Sequence, residues 1–149
     1  MKPRKSIPPV YFLVLLLVSI GLGRYLPVLK IVRSPYAYLG VAPIVIGVVL
    51  GLSASSLFRK HKTTIKPHET PSALITSGAF RISRNPIYLG MLLILLGVSV
   101  WVGSITAFVS PVLFFLIIDR RFIPREESAM EIVFGDRYRG YKGQVRRWV

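Results

Sequence analysis

Residues 76–90, TSGAFRISRNPIYLG, decide how the chain is organised, because they form a polar segment directly before a long apolar one. From Asn85 to Ile118 the sequence carries no charged residue. A second polar segment, REESAMEIVFGDRY at 125–138, follows shortly after that stretch ends. Two polar segments on either side of an apolar hairpin predict a site at a membrane surface, assembled when the chain folds back on itself.

Composition indicates a single membrane domain. The 149 residues are 52% hydrophobic and only 17% charged, and the charges are concentrated between long apolar runs. The absence of cysteine excludes disulfides and thiolate chemistry, and two histidines are too few for a histidine-rich metal site, so no metal is expected. We therefore expect an all-α membrane protein in which residues 1–149 form one domain.

Four apolar segments predict about four transmembrane helices, at residues 10–29, 38–57, 87–102 and 105–118. The first two match the ~20 residues that a bilayer core requires. The last two are shorter and are joined by Gly103-Ser104, which predicts a short helical hairpin. The polar segments 58–86 and 119–149 then form a connecting loop and a C-terminal helix.

The distribution of basic residues predicts the orientation of this multi-pass protein. Seventeen of the twenty Lys and Arg residues flank the apolar segments on one side, so the positive-inside rule places both termini and both polar segments in the cytoplasm, at the cell membrane. The net charge of +14 is explained by this topology and by anionic membrane lipids. No nucleic-acid-binding module is recognisable, and nucleic acid is not expected as a partner.

The polar segments contain motifs that resemble those of a known family. The chain reads SALITSGAF at 72–80, RNPIYLG at 84–90, and EE at 126–127 followed by FGDRYRGY at 134–141. In this order, and separated by a hairpin, they are similar to the isoprenylcysteine carboxyl methyltransferase and phospholipid methyltransferase family of integral membrane enzymes. The resemblance covers a little over half of the chain, from about Thr63 onward.

The resemblance implies a methyltransferase that uses S-adenosyl-L-methionine and acts on a lipid-like or prenylated acceptor at the cytoplasmic membrane face. The loop before the hairpin then becomes a cofactor-binding loop. The first interpretation is an isoprenylcysteine-type carboxyl O-methyltransferase. Phospholipid N-methylation and a non-catalytic membrane scaffold of the same fold stay open as alternatives. The family's cofactor pocket corresponds here to Ser72, Ala73, Leu74, Ile75, Phe80, Asn85, Pro86, Ile87, Tyr88 and Glu126.

Elementary chemistry supports such a pocket. Gly78 tolerates the positive φ of a loop that wraps a nucleoside, and Pro86 suits the first turn of a helix. The free N–H groups of that turn are an expected site for the cofactor's carboxylate. The chain departs from the family pattern at Ser72, Phe80 and Asn85, where the family commonly has His, Tyr and His, and these changes remove hydrogen-bonding or titratable groups.

The residues that act on the acceptor are harder to assign. A carboxylate acceptor needs a cationic clamp, for which Arg121, or its neighbour Arg120, is the first candidate and Arg84 the second. The family places its substrate arginine within a residue of Arg121, at the position of Phe122 here. An amine acceptor must lose a proton, and Glu127 is then the candidate base.

Each motif also has an ordinary structural interpretation. Asn85-Pro86 is typical of a plain helix start, and Glu126-Glu127 of solvated charges in the first turn of a helix. Tyr138 and Tyr141 are typical of an aromatic pair at a membrane interface. The methyltransferase interpretation depends on the motifs of both polar segments occurring together and in order.

Overall fold

The computed structural model describes residues 7–62 and 72–149, and within these ranges the chain forms helices and no β-sheet. Six α-helices follow one another: α1 (Pro8–Tyr25), α2 (Val41–Lys60), α3 (Pro86–Val102), α4 (Val109–Ile117), α5 (Ile123–Phe134) and α6 (Asp136–Gln144). Short 3-10 turns occupy Tyr36–Gly40, Gly78–Arg81 and Ile105–Phe108. The first basic residues of the chain and part of the predicted cofactor-binding loop, residues 63–71, lie outside the described residues.

Proline and glycine set the helix boundaries. Pro8 and Pro86 lie in the first turns of α1 and α3, where their fixed φ favours the helix and their missing N–H is not needed. Gly103 ends α3 in the left-handed region at φ +75°, and its N–H donates to the carbonyl of Ser99. The predicted turn between the third and fourth apolar segments is therefore confirmed.

Two of the helical segments, Pro8–Tyr25 and Tyr36–Lys60, are long and apolar enough to cross a membrane. Their outward side chains are exposed, for example Leu17 and Leu52 at 70% and 66%. Helix α3 is apolar but has only 17 residues. The all-helical, membrane-like character is thus confirmed, whereas the count of four spans stays a prediction.

The second arm of the hairpin does not end at Ile118 as the sequence suggested. Helical backbone continues from α4 through a π-helical turn, Ile118–Phe122, into α5. Pro124 explains the widened turn, because it has no N–H to donate to the preceding turn and its ring displaces the carbonyl four residues earlier. The charges at 119–121 marked the end of an apolar segment, but they did not mark the end of a helix.

The C-terminal part is also divided differently from the single helix that we expected. Gly135 adopts φ +51° and separates α5 from α6. Its N–H donates to the carbonyl of Glu131, which closes the last turn of α5. The break turns α6 so that Tyr138 and Tyr141 are buried against Phe80 and Ile75.

Helices α2 and α3 approach so closely that only glycine fits between them. A methyl group on Gly47 would lie 2.5 Å from the carbonyl oxygen of Gly90, and one on Gly97 would lie 2.4 Å from that of Gly40. Both pairs obey the same antiparallel register, seven residues or about two helical turns apart. Close backbone contact of this kind is how apolar helices associate when lipid leaves no hydrophobic gain between them.

A small polar cluster joins α1 and α3 near the hairpin turn. Ser19 and Ser99 lie 3.3 Å apart, and both hydroxyls contact the carbonyl oxygen of Ala107 at 3.2 and 3.0 Å. Both serines are fully buried. Helix α3 is therefore held on one side by glycine contacts and on the other by hydroxyl hydrogen bonds.

We predict that Gly47→Ala or Gly90→Ala lowers the free energy of unfolding in detergent by about 1–3 kcal/mol, because the new methyl group meets backbone atoms that cannot rotate away. Gly51→Ala is the matched control, since a Cβ at that position of α2 meets nothing within 4 Å. Chemical denaturation followed by circular dichroism measures the difference. Equal stability of all three variants would contradict the close α2–α3 contact.

Candidate functional site

A cavity of about 390 Å³ opens where the two polar segments meet. Its walls come from residues 73–75 and Phe80, the first turns of α3, and the faces of α5 and α6 that carry Glu126 and Tyr138. The first residues of α1, Ile7 to Pro9, close another side. Its volume lies within the range of small-molecule sites, and most of the lining is apolar.

A short hydrogen bond between the two polar segments lies at this cavity. The hydroxyl of Tyr88, in the first turn of α3, donates to a carboxylate oxygen of Glu126 in α5 at 2.6 Å. The two residues are 38 positions apart in the sequence. The doubling back of the chain therefore brings Asn85–Tyr88 and Glu126-Glu127 to one place, as the sequence predicted.

Glu126 has an unusual proton affinity for a carboxyl group. Burial raises the pKa of Glu126 to about 7, and the hydrogen bond from Tyr88 opposes this only in part. The group therefore exchanges its proton near neutral pH. A carboxyl of this kind binds a cation once it is ionised, and it accepts a proton when it acts as a base.

Glu127 points to a different set of partners and is buried in an ion cluster. One of its oxygens accepts from Arg84 at 3.1 Å and from Arg147 at 3.2 Å, and the other accepts from Arg147 at 2.8 Å. Arg147 also donates to Asp119 at 3.2 Å. Two arginines and two carboxylates thus balance in charge beside the cavity.

The C-terminal segment is held across the start of α3 by this cluster and by backbone contacts. The N–H of Arg84 donates to the carbonyl of Arg146 at 3.0 Å. Ser83 and Asn85 both donate through their side chains to the carbonyl of Arg147, at 3.1 and 3.0 Å. The indole N–H of Trp148 donates to Asp119 at 2.9 Å. Residues 146–148 are therefore a structural part of the site.

The contacts of three residues also test the ordinary structural interpretations of the motifs. The side chain of Asn85 makes no capping hydrogen bond, because its amide donates to Arg147 instead. Glu127 is buried and paired, so it is not a solvated charge. Tyr141 is buried and donates to the carbonyl of Phe80 at 2.6 Å, so it is not an interfacial aromatic residue.

Most residues proposed from the sequence lie at the cavity, although their roles in binding stay predictions. The lining includes Ala73, Leu74, Ile75, Phe80, Asn85, Pro86, Ile87, Tyr88 and Glu126, together with Arg84 and Glu127. Ser72 is not among the lining residues, and its hydroxyl donates to the carbonyl of Lys62 at 3.4 Å. Gly78 has φ +59°, as its proposed role in a tight loop requires.

Arg121 and Arg120 do not reach the cavity. Both are exposed on the π-helical turn and neither belongs to the cavity lining. Phe122 is buried and packs edge-to-face on Tyr11, with ring centroids 5.6 Å apart. The geometry therefore does not support Arg121 or Arg120 as the acceptor clamp. Arg84, the second candidate, does line the cavity.

Several lining residues were not singled out as site residues from the sequence. Tyr138, Tyr141 and Met130 come from α5 and α6, and Pro8 and Pro9 come from α1. The three-residue spacing of the tyrosines was a usable signal, because it places both on one helix face. The prolines carried no such signal, since tertiary packing alone brings the start of α1 to the site.

Comparison with known proteins agrees with the motifs. Residues 36–137 match the family described as Phospholipid methyltransferase. The match covers more than half of the chain, and the protein belongs to this family of membrane methyltransferases. The chain is also 46% identical over 63 residues to an uncharacterized protein of Haemophilus influenzae, which corresponds to 42% of this chain and 100% of that protein. No solved structure matches the chain significantly.

We predict that Glu127→Gln lowers the free energy of unfolding by about 3 kcal/mol, because it leaves the buried Arg84 without its counter-charge and takes from Arg147 one of its two carboxylate partners. Glu131→Gln in the same helix is the control. It removes contacts to Arg139 and Lys142 that are open to water and screened by it, so little change is expected. Thermal unfolding in detergent compares the two, and equal losses would contradict a buried ion cluster.

Proposed function

We propose that the protein transfers a methyl group from S-adenosyl-L-methionine to an amphiphilic, lipid-like acceptor at the cytoplasmic face of the membrane. The observation that carries this proposal is the Tyr88–Glu126 contact, which unites the two family motifs inside one cavity. The family match supports methyl transfer as the reaction. All of residues 1–149 are proposed to act as one domain.

The cavity has the chemical groups that a sulfonium nucleoside requires. Ile75, Phe80 and Met130 provide apolar surfaces suited to an adenine ring. Glu126 offers a carboxylate to a sulfonium or an ammonium group. The first turn of α3 adds backbone N–H groups suited to a carboxylate. Ser72 is kept in the proposed set only as a neighbour of the lining residue Ala73.

Methyl transfer requires of the protein mainly that it align the methyl donor with the acceptor. When bound, the cofactor supplies a methyl group that is already activated by the positive sulfur. The acceptor's lone pair would displace sulfur from this methyl group, and the electron pair of the broken carbon–sulfur bond would remain on sulfur. The residues around the cavity then act by holding donor and acceptor in line and by excluding water.

The membrane arrangement supports an acceptor with an apolar tail. The outward faces of α1 and α2 are apolar and exposed, as expected for lipid contact. The cavity lies beside the start of α1, the end of α2 and the start of α3. Four spans with both termini in the cytoplasm would put this end at the inner membrane surface. A lipid could then present its polar group to the cavity while its tail stays in the bilayer.

Two acceptor classes are each favoured by one observation. An amine, as in a phospholipid N-methylation, is favoured by the Glu126 carboxyl with its pKa near 7, because an amine nucleophile must give up a proton. A carboxylate, as in isoprenylcysteine O-methylation, is favoured by the presence of Arg84 on the cavity wall. Assay of radiolabelled methyl transfer to fractionated phospholipids and to farnesyl-cysteine analogues separates the two. Cofactor binding without transfer to any acceptor would indicate a non-catalytic scaffold.

We predict that the protein in detergent binds S-adenosylhomocysteine and that Tyr88→Phe or Glu126→Gln weakens binding at least tenfold. Tyr88→Phe removes the hydrogen bond that orients the Glu126 carboxylate, and Glu126→Gln removes the negative charge proposed to pair with the ligand's ammonium group. A hydrogen bond to a charged group contributes about 1.5–3 kcal/mol. Tyr25→Phe is the control, because that tyrosine is 84% exposed. Calorimetry measures the affinities. Absence of binding to the unmodified protein at millimolar ligand would refute the proposal.

We predict that this binding strengthens as the pH rises through about 7 and levels off roughly one unit above it. Below its pKa of about 7, Glu126 is mostly protonated and neutral, and the ammonium group of the ligand must displace that proton before it can pair with the carboxylate. Proton release at pH 6, read from calorimetry in buffers of different ionisation enthalpy, checks the sign. Glu126→Gln should give a flat profile, and a wild-type affinity that falls with rising pH would be inconsistent with this role.

A further inference from the structure

A second concave surface lies at the end of the helices opposite the cavity. Helices α1 and α3 both begin at the cavity, and an 18-residue helix such as α1 is about 27 Å long. At their far ends the two helices border a groove of about 300 Å³, the distal groove. It is lined by Ile20, Gly23, Arg24, Pro27, Lys30 and Val102.

Two cations without a counter-charge line the distal groove. Arg24 lies in the last turn of α1, and Lys30 lies in the loop that follows. The first 68 residues of the chain contain no Asp or Glu. The acidic residues that the structure describes all lie in the π-helical turn, α5 and α6, at the cavity end. Within this described part of the chain, neither cation of the groove forms an ion pair.

The backbone that carries the two cations is fixed by contacts with the hairpin turn. Lys30 pairs with Ser104 in an isolated antiparallel bridge. The hydroxyl of Thr106 donates to the carbonyl of Leu26 at 3.0 Å, just beyond the end of α1. The distal groove is therefore formed before a ligand binds, which lowers the entropy that binding must cost.

The polarity along the distal groove follows that of a phospholipid at the membrane interface. Ile20 and Arg24 are four residues apart in α1 and share one face, so the wall changes from apolar to cationic within about one helical turn. Tyr25 and Trp101, each next to a lining residue, are exposed at 84% and 50%, as in the aromatic belts of membrane proteins. The exposed Leu17 extends the apolar face of α1 toward the middle of the helix.

We propose that the distal groove binds the phosphate of an anionic phospholipid in the membrane leaflet opposite the cavity. Arg24 and Lys30 attract the phosphate, and the acyl chains lie along the apolar face of α1. A zwitterionic lipid is disfavoured, because its ammonium group is repelled by the two cations. The helix dipole favours a cation in the last turn of α1, but it does not account for Lys30. The site is separate from the proposed methyl transfer and does not rest on it.

The test uses a fluorescent reporter beside the distal groove. Trp101→Phe and Trp148→Phe remove the two tryptophans of the chain, and Leu17→Trp places one indole on the face of α1 that leads to Arg24. The reporter protein is placed in phosphatidylcholine nanodiscs that contain phosphatidylglycerol or phosphatidylcholine brominated in one acyl chain, at equal mole fraction. Bromine quenches an indole only at contact, so lipids bound to the basic residues at the cavity end are not detected.

We expect the reporter protein to prefer brominated phosphatidylglycerol by about 25-fold, since each of two juxtamembrane cations contributes about fivefold. Arg24→Gln and Lys30→Gln should each lower the preference to about fivefold. Arg33→Gln is the control, because that arginine is exposed in the same loop and does not line the groove, and it should retain the full preference. Thermal unfolding followed by circular dichroism checks that each variant is folded.

Equal quenching by the two brominated lipids, or an equal loss in Arg33→Gln, would overturn the proposal. Inorganic phosphate is the other source of the same chemistry. Loss of the preference in phosphate, but not in chloride of the same ionic strength, would assign the groove to free phosphate and overturn the lipid site.

If the reporter protein does not fold, native mass spectrometry of the chain without the reporter decides instead. The unmodified protein should then retain one more phosphatidylglycerol molecule than its Arg24→Gln variant, and equal retention would contradict the site. These measurements need neither cofactor nor methyl acceptor, so failure of the proposed reaction leaves their outcome unaffected.

Discussion

Two adjacent glutamates hold the site together, and each joins a different part of the chain. Glu126 accepts a hydrogen bond from the Tyr88 hydroxyl at the start of α3, and Glu127 forms ion pairs with Arg84 and Arg147. Because Glu127 is buried and Glu126 is half-buried at the cavity, each requires its partners in place to avoid an uncompensated charge or polar group. This requirement fixes where α5 stands relative to α3 and where the C-terminal segment crosses them.

The helical class and the meeting of the two motifs could be predicted from the sequence, because both depend on patterns that are local. Apolar length indicates helices in a membrane, and Pro86 and Gly103 mark the ends of α3. Because the two arms of the hairpin run antiparallel, the motif before it and the motif after it lie at the same end. The convergence of Tyr88 with Glu126 followed from that topology.

What could not be predicted depends on contacts between distant residues. A glutamate pair looks the same in sequence whether its side chains bind a ligand or an arginine, and only the fold separates Glu126 at the cavity from Glu127 in the ion cluster. Likewise the family's substrate arginine, which falls within a residue of Arg121, suggested an acceptor clamp there, but Arg121 is exposed on the π-helical turn. The partners of Arg147 are 20 and 28 residues away and no short motif encodes them.

The contact between Gly47 of α2 and Gly90 of α3 has a consequence for the position of Tyr88. Gly90 lies two residues after Tyr88, and its backbone rests directly on that of Gly47. A slide of α3 along α2 by one residue would shift Tyr88 by ~1.5 Å, which is more than a hydrogen bond of 2.6 Å tolerates. The close contact of Gly47 with Gly90 therefore fixes the register of α3 on α2, and with it the position of the Tyr88 hydroxyl in the cavity. Neither glycine lines the cavity itself.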